Sequence, residues 1–341
     1  MSCSVNKNIP EQVVTPAKKH IIKKNYFEEN LKQWNKARNS VLILVPMSGE
    51  NVAIGRGIIN ACLLSANDAS DIDFYVEDTH DVDMSKLYEK FKEHNFDAII
   101  GPVFYNEVGK YEALFRHTPI FSLSNNISIN NQHVIACGLS PQEEIKKICL
   151  TIKASKLSGV LLLVPENSYA NKIVQLMRQQ LVKIGFNEEN DVDIIRYKSI
   201  TKDDATRIVQ TSDRRAVFVV DPILNIDEID DKFVFTLSSS VLNNRENWNG
   251  VIFAFDDNLN RKKMVNLYTS NFKSTPTIID IVAYDILNAI ISSTKNHTAL
   301  FGTKFSGCLG NFEITKKNGI VRDLNLYKIE SDELVRLEKE E

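Results

Sequence analysis

The segment that most constrains the fold is residues 41–57, which read VLILVPMSGENVAIGRG. It opens with five aliphatic residues, Val41 to Val45, a composition and length typical of a strand buried on both faces of a parallel sheet. Pro46 ends the strand because proline has no N–H group for the ladder. A polar turn follows, and from Val52 the apolar residues return at helical spacing. The segment therefore predicts a strand, a tight turn and a helix.

The turn of this unit is a candidate binding position. In an open parallel sheet such a turn lies at the carboxyl end of the strand, where ligands bind. Ser48 offers a hydroxyl group there, and the first free amides of the following helix point to the same place. The competing interpretation is that Ser48 does no more than cap the helix.

The strand–helix alternation continues along most of the chain. Aliphatic runs at 97–104 and 159–165 alternate with amphipathic patterns at 84–95 and 167–185. This rhythm predicts parallel sheets, and two successive blocks of it predict two sheets in an α/β protein. Small polar or aromatic residues follow several strands, so the rims of the two sheets would face each other across a cleft.

The pattern changes in the last part of the chain to alternating strands typical of β-hairpins. The sequence Lys317-Asn318-Gly319 is a strong turn signal, and a second turn is predicted at Ser331-Asp332. These hairpins follow a long helical pattern that begins after Pro276.

Composition excludes several classes of function. The chain has 341 residues, 43% of them apolar, and a net charge of −3. This length suits two lobes with separate cores, and the charge argues against nucleic-acid binding. No apolar run approaches the roughly 18–20 residues of a membrane span.

Chemistry-bearing motifs are missing from the sequence. The six histidines form no H-x-x-x-H or H-x-H pattern, and neither G-x-S-x-G nor a phosphate-binding P-loop occurs. The five cysteines form no C-x-x-C pair, so a zinc site is not expected. Cys62, Cys137 and Cys149 fit apolar patterns as small buried hydrophobes. We predict a non-catalytic protein with no metal and no cofactor.

The N-terminal residues 1–40 contain no hydrophobic core of a signal peptide. Either the protein is cytoplasmic, or the sequence is that of a mature exported chain with a start methionine added. Ser2-Cys3 followed by a polar tether is how a mature bacterial lipoprotein begins, so Cys3 is a candidate lipidation site. The alternative is a free thiol in a flexible tail. Residues 26–38 have a helical pattern.

Six local patterns occur in a characteristic order along the chain. They are P-M-S-G-x-x-x-x-x-G (46–55), G-P (101–102), S-Y-A (168–170), A-Y-D (283–285), F-x-G-x-x-G-x-F (305–312) and N-G-x-x-R-D-L (318–324). Together they resemble type 1 periplasmic ligand-binding proteins, which include the branched-chain amino acid receptors of ABC transporters, over about 41–335. The ending and the Leu-Ser-Asn stretch after Phe121 look closest to the penicillin-binding protein activators, a lipoprotein branch that stimulates peptidoglycan synthases.

The resemblance implies two Rossmann-like lobes with parallel sheets, joined by a three-strand hinge whose closure a ligand would favour. It divides the chain as follows: tether and flanking helix, 1–40; lobe one, 41–138 plus 251–302; lobe two, 139–250 plus 303–335; tail, 336–341.

The resemblance also implies a set of ligand-binding residues at the rims. They are Ser48, Gly49, Phe104, Tyr105, Ser124 and Asn125 in lobe one, and Tyr169, Asp221 and Ser239 in lobe two. The sequence departs from the receptors where Phe104 and Tyr105 replace a serine-rich loop, so aromatic rings would fill part of the cleft. Asp221 would pair with an ammonium group or cap a turn, and Tyr169 would cover the ligand or pack at a helix start.

Two functions follow from the resemblance as expectations. The first is an extracytoplasmic solute-binding lipoprotein that takes an amino acid, amide or peptide-like ligand and delivers it to an ABC permease. The second is a penicillin-binding protein activator that contacts a peptidoglycan synthase. Both imply a periplasmic protein of a Gram-negative bacterium, held at the membrane only by a lipid anchor. A cytoplasmic effector-sensing domain is a third reading, but residues 1–40 do not resemble a DNA-binding segment.

Overall fold

A computed structural model describes residues 39–67, 69–124, 133–221, 224, 226, 228–242, 248–315 and 319–337. Residues 1–38 lie outside the described ranges, and so do the predictions of lipidation at Cys3 and of a helix at 26–38. Residues 39–341 form one unit, and its described part is an α/β fold.

The first sheet contains five parallel strands in the order β2-β1-β3-β4-β5. Its elements are β1 (Asn39–Val45), α1 (Val52–Ala66), β2 (Ile72–Asp78), α2 (Met84–Phe91), β3 (Ala98–Ile100), α3 (Tyr105–Leu114), β4 (Ile120–Ser122) and β5 (Val134–Ala136). The run Val41 to Val45 forms the buried strand that the sequence predicted, since none of the five is more than 3% exposed. Each such aliphatic side chain contributes about 1.5–3 kcal/mol on burial.

The second sheet contains seven strands in the order β15-β14-β10-β9-β8-β6-β7. Its pairs are parallel from β7 to β10 and antiparallel at β14 and β15. Its elements are α4 (Pro141–Ala154), β6 (Val160–Pro165), α5 (Ser168–Lys183), α6 (Glu188–Asp191), β7 (Val192–Tyr197), α7 (Lys202–Thr211), β8 (Ala216–Val219), β9 (Phe233–Phe235), α8 (Ser238–Val241) and β10 (Ile252–Phe255).

The remaining elements complete both lobes and add a third sheet. They are α9 (Leu259–Phe272), α10 (Ile278–Asn296), β11 (Lys304–Gly307), β12 (Gly310–Thr315), β13 (Gly319–Arg322), β14 (Asn325–Glu330) and β15 (Glu333–Leu337). Strands β11, β12 and β13 pair antiparallel as a sheet of their own. Helices α9 and α10 pack on α1, beside the first sheet.

The strand pairing corrects one boundary of the sequence-based division. Residues 251–302 were assigned to lobe one, but β10 pairs with β9 and β14 in the second sheet. The crossover therefore follows β10, and only the helices after it lie beside the first sheet. The block 303–335 also divides, because β11 to β13 form the third sheet while β14 and the start of β15 lie in the second. The rest of the division stays a prediction.

Local sequence accounts for the ends of several elements. Ser140 caps α4 by accepting a hydrogen bond from Gln142 N, and Pro141 occupies the first turn, where its missing N–H group is not needed. Thr277 and Asp280 form a capping box at the start of α10. The predicted turn at Ser331-Asp332 is present, with both residues at positive φ between β14 and β15.

Candidate functional site

The turn after β1 is tied to the end of β2 by a carboxylate. Asp78 Oδ2 accepts a hydrogen bond from Ser48 Oγ at 2.5 Å, and Asp78 Oδ1 accepts from the amides of Met47 (2.7 Å) and His80 (3.0 Å). Partial burial would raise the pKa of Asp78, but these hydrogen bonds outweigh it and hold the pKa below its ordinary value. The Ser48 hydroxyl therefore has an internal partner, while the residue itself is exposed.

Gly49 is required by the geometry of this turn. Its φ is +71°, and a Cβ atom built there would lie 2.5–2.7 Å from the imidazole ring of His80. The imidazole thus covers the backbone of the turn at a distance that only glycine permits. Asp78 and His80 were not among the residues predicted from the sequence, although a carboxylate at a strand end, such as Asp78 at the end of β2, was a usable signal.

The next positions of the first rim differ in exposure. Phe104 is half-buried and precedes α3, whereas Tyr105, the first residue of α3, is exposed. Ser124 is buried, and its carbonyl oxygen accepts a hydrogen bond from Gly138 N at 3.1 Å. Ser124 therefore joins the segments that follow β4 and β5. Asn125 lies outside the described residues.

Tyr169 and Ser239 meet on the rim of the second sheet. Tyr169 is in the first turn of α5, which follows β6, and Ser239 is in α8, which follows β9. Burial and the charge of Glu144 raise the pKa of the Tyr169 phenol, and the nearby Ser239 side chain partly offsets this. Two residues predicted separately from the sequence therefore lie beside each other on this rim.

Asp221 has a tyrosine as its hydrogen-bond partner. Tyr197, at the end of β7, donates its hydroxyl to Asp221 Oδ2 at 2.8 Å. Burial and then the neighbouring carboxylate raise the pKa of Tyr197. Asp221 is half-buried at the end of β8, so this pair links the ends of two strands that lie on either side of β6.

Glu144 is a buried carboxylate beside this rim that the sequence analysis did not single out. Its oxygens accept hydrogen bonds from Ser238 N at 2.6 Å and from Ser238 Oγ at 2.9 Å. Burial raises the pKa of Glu144 to about 7, although the hydrogen bonds from Ser238 lower it. Its position in the first turn of a helix is misleading, because acidic residues there ordinarily face solvent and interact favourably with the helix dipole.

The structure therefore brings the predicted residues together in two groups. Ser48, Gly49 and Tyr105 lie at the carboxyl edge of the first sheet, and Tyr169, Asp221 and Ser239 lie at that of the second. Their role as ligand contacts stays a prediction. Across the described ranges, no group of three or more His, Cys, Asp or Glu side chains is placed to hold a metal ion, and no helix has the length and apolarity to cross a membrane.

Comparisons with known proteins identify the fold. No protein-family model matches the sequence, and no curated protein sequence matches it. Among solved structures, the C-domain of LpoA (YraM) from Haemophilus influenzae, described as a regulator of PBP1A, has a TM-score of 0.68 and 17% identity, over 88% of this chain and 100% of that one. Full-length LpoA gives a TM-score of 0.70 at 16% identity, and the match covers 90% of this chain but 60% of LpoA.

Transport proteins are similar to the chain at the same level. A putative branched-chain amino acid ABC transporter protein from Rhodospirillum rubrum gives a TM-score of 0.73 at 12% identity, over 88% of this chain and 100% of that one. The similar structures described above are binding or regulatory proteins rather than enzymes. The resemblance read from the sequence motifs is confirmed at the level of the fold. This chain has the two-sheet α/β fold of the type 1 periplasmic binding proteins.

Proposed function

We propose that this protein is a non-catalytic, extracytoplasmic regulator that contacts a peptidoglycan synthase through the rims of its two sheets. The observation that carries the proposal is the exposure of three large side chains at these rims: Met47 is 39% exposed, Tyr105 47% and Tyr169 43%. Tyrosine and methionine are enriched in protein–protein interfaces, where they bury a large area with few polar groups to desolvate.

The polar groups of the rims support the same choice. Ser48 is hydrogen-bonded to Asp78 and Tyr197 to Asp221, and Tyr169 lies beside Ser239. A small polar solute would have to replace these internal hydrogen bonds, which reduces the net gain from binding it. A protein partner can instead cover the aromatic rings and leave the internal pairs intact. The similarity to LpoA, a regulator of PBP1A by its description, supports the choice of partner class.

The second candidate function is solute binding for an ABC transporter. It is favoured by the half-buried carboxylate of Asp221, which lies beside a phenol at the rim and would suit a ligand with an ammonium group. The similarity to a putative branched-chain amino acid transporter protein supports it equally at the level of the fold. In both cases we place the protein in the periplasm, with Cys3 carrying a lipid anchor.

A binding experiment with matched tyrosine variants separates the two functions. Purified protein is tested for binding to a penicillin-binding protein of the same organism and for stimulation of its glycan polymerisation. We expect Tyr105→Ser and Tyr169→Ser each to weaken binding about tenfold or more, as interface aromatics commonly do. Tyr88→Ser is the control, because Tyr88 is an exposed tyrosine on α2 outside both rims.

The same preparation is screened by thermal shift against amino acids, amides, short peptides and muropeptides. A ligand that binds only the folded state raises the melting temperature. A shift of several degrees that is abolished by Asp221→Asn, together with no binding to the synthase, would establish solute binding and overturn our proposal. Synthase binding that Tyr105→Ser and Tyr169→Ser leave intact would remove the rims from the interface.

A further inference from the structure

The turn between β11 and β12 is held from both sheets. Its central residues Cys308 and Leu309 are buried, and Gly307 pairs with Gly310 across the hairpin. Both glycines are required. A Cβ atom on Gly307 would lie 2.7 Å from Asp285 Oδ2, and Gly310 has φ +93° with the Asp323 carbonyl oxygen 2.9 Å from its Cβ position. A turn that excludes even a methyl group is fixed tightly by its surroundings.

The contacts from the first sheet come through α10. Asp285 of this helix accepts hydrogen bonds from Cys308 N at 2.7 Å and from Leu309 N at 3.2 Å. Helix α10 in turn packs against α1 and β3 of the first sheet. The two turn amides therefore move with the first sheet as long as these hydrogen bonds persist.

The contacts from the second sheet come through Asn258, which follows β10 and caps α9. Its Nδ2 donates to the carbonyl oxygen of Gly307 at 2.9 Å and to Asp256 Oδ2 at 2.8 Å. Asp256 also accepts from Asn325 Nδ2 at 2.9 Å, so the ends of β10 and β14 are tied to the same point. The Gly307 carbonyl and the Cys308 amide belong to one peptide bond. The amide is held by α10, beside the first sheet, and the carbonyl by the segment that leaves β10 of the second sheet.

We infer that this peptide bond is the pivot between the two sheets, and that Asp285 and Asn258 are positioning residues that set the angle between them. Two bodies that share one fixed peptide can rotate about it while their own interiors stay packed, as in hinge motions. On the Asn258 side the hold on the turn is a single hydrogen bond to the Gly307 carbonyl oxygen, so removing it loosens the angle without opening either core. This inference does not depend on which partner or ligand the rims bind.

The test measures a distance between the lobes of the complete chain. Spin labels are attached to cysteines introduced at Tyr88 on α2 and Val182 on α5, both exposed, in a Cys3→Ser background. Cys62, Cys137, Cys149 and Cys308 are buried and do not take up label. Pulsed electron–electron double resonance then gives the distribution of distances between the two labels.

The decisive variant is Asn258→Asp, compared with Asn167→Asp. In both cases the side-chain oxygen that caps a helix is retained, since Asn258 Oδ1 accepts from Arg261 N and Asn167 Oδ1 accepts from Ala170 N. Only the first substitution removes the donor to the pivot. We expect Asn258→Asp to broaden the distance distribution to at least about twice its wild-type width, or to shift it to other distances, as a freed hinge would. We expect Asn167→Asp to leave the distribution unchanged.

Asp285→Asn provides a second release, from the side of the first sheet. We expect it to broaden the distribution in the same way, because the new amide cannot accept from both turn N–H groups. If Asp285→Asn fails to fold, the half-buried Asn258 variant still decides the question. A folded Asn258→Asp protein with the wild-type distribution would overturn the inference.

Discussion

Arg322 Nη1 lies 3.7 Å from Asp285 Oδ2, and the two side chains are only 4% and 1% exposed. Arg322, at the end of β13, also places its guanidinium 5.1 Å from the ring centroid of Phe312. The chain thus buries a charge pair where the long helix α10 meets the third sheet. Asp285 ends the A-Y-D pattern and Arg322 opens R-D-L, so two motifs used only to detect a resemblance form one contact.

The two single substitutions of this pair are expected to lower the free energy of unfolding by unequal amounts. Asp285→Leu strands the guanidinium of Arg322, and loss of one partner of a buried pair costs about 3–5 kcal/mol of the free energy of unfolding. Arg322→Met is expected to cost less, because Asp285 keeps two amide donors and burial already raises its pKa, which lets it take up a proton. Urea denaturation measures both. Equal losses would contradict this account.

The double variant completes the cycle. Asp285→Leu with Arg322→Met removes both charges, so its cost is expected to be smaller than the sum of the two single costs, by about 1 kcal/mol or more. Additive losses would mean that the two charges do not interact despite their separation of 3.7 Å.

Glu144 is expected to make stability depend on pH. Its folded-state pKa is raised from 4.5 to about 7, so the protonated acid stabilises the fold below pH 4.5, and this contribution is lost as the pH rises through about 7. The difference amounts to about 3 kcal/mol. Glu144→Gln keeps the shape and the bonds to Ser238 but cannot ionise.

Denaturant unfolding of both proteins at pH 5 and pH 8 tests this. The wild-type protein is expected to lose stability relative to Glu144→Gln between the two values, so that the variant is the more stable protein at pH 8. Glu143→Gln is the matched control, because this neighbouring glutamate lies near Lys146 and is partly exposed. The same pH dependence in wild type and Glu144→Gln would assign the effect to another group.

Two glycines inside helices are expected to respond in opposite directions to alanine. A Cβ atom on Gly55 of α1 would lie 1.8 Å from the carbonyl oxygen of Pro46, so Gly55→Ala must push the helix away from β1. We expect a loss of about 2–3 kcal/mol in the free energy of unfolding. Gly109 of α3 has no atom within 4 Å of its Cβ position, and Gly109→Ala is expected to add up to about 1 kcal/mol. Thermal unfolding distinguishes the two signs.

Ser48→Ala is expected to raise the pKa of Asp78 towards its ordinary value, because the Oγ donor at 2.5 Å is lost. Since the folded-state pKa is lowered, the hydrogen bonds stabilise the fold above the unfolded pKa, and this contribution disappears as the pH falls through the folded value. NMR titration of the Asp78 carboxyl group measures the shift. Ser70→Ala, which removes another exposed serine donor to a carboxylate, Asp71, should leave Asp78 unaffected.

Much of the fold follows from local sequence. The run Val41 to Val45 predicted a buried strand, and the amphipathic pattern at 167–185 predicted a helix; both are present. Such features are readable because propensity, capping and side-chain periodicity act over a few neighbouring residues. The late hairpins were predicted for the same reason, because tight hairpin turns require positive φ and only a few residue types adopt it readily.

The candidate site was predictable only in part, because its chemistry depends on contacts between distant segments. Ser48 could be placed at a strand end, but its partner Asp78 lies 30 residues away. Glu144 was not singled out from the sequence, because only its contact with Ser238, 94 residues away, shows it to be a buried, hydrogen-bonded carboxylate. Pairing of β10 in the second sheet was missed for the same reason.

The sequence by itself determined the strand and helix order, the buried central strands and the class of fold, because hydrophobic periodicity and capping act locally. The tertiary structure alone decided which sheet β10 joins, which rim hydroxyls are internally bonded, and that Asp285 and Arg322 meet. These features depend on which distant segments pack together, and local sequence preferences leave that choice open.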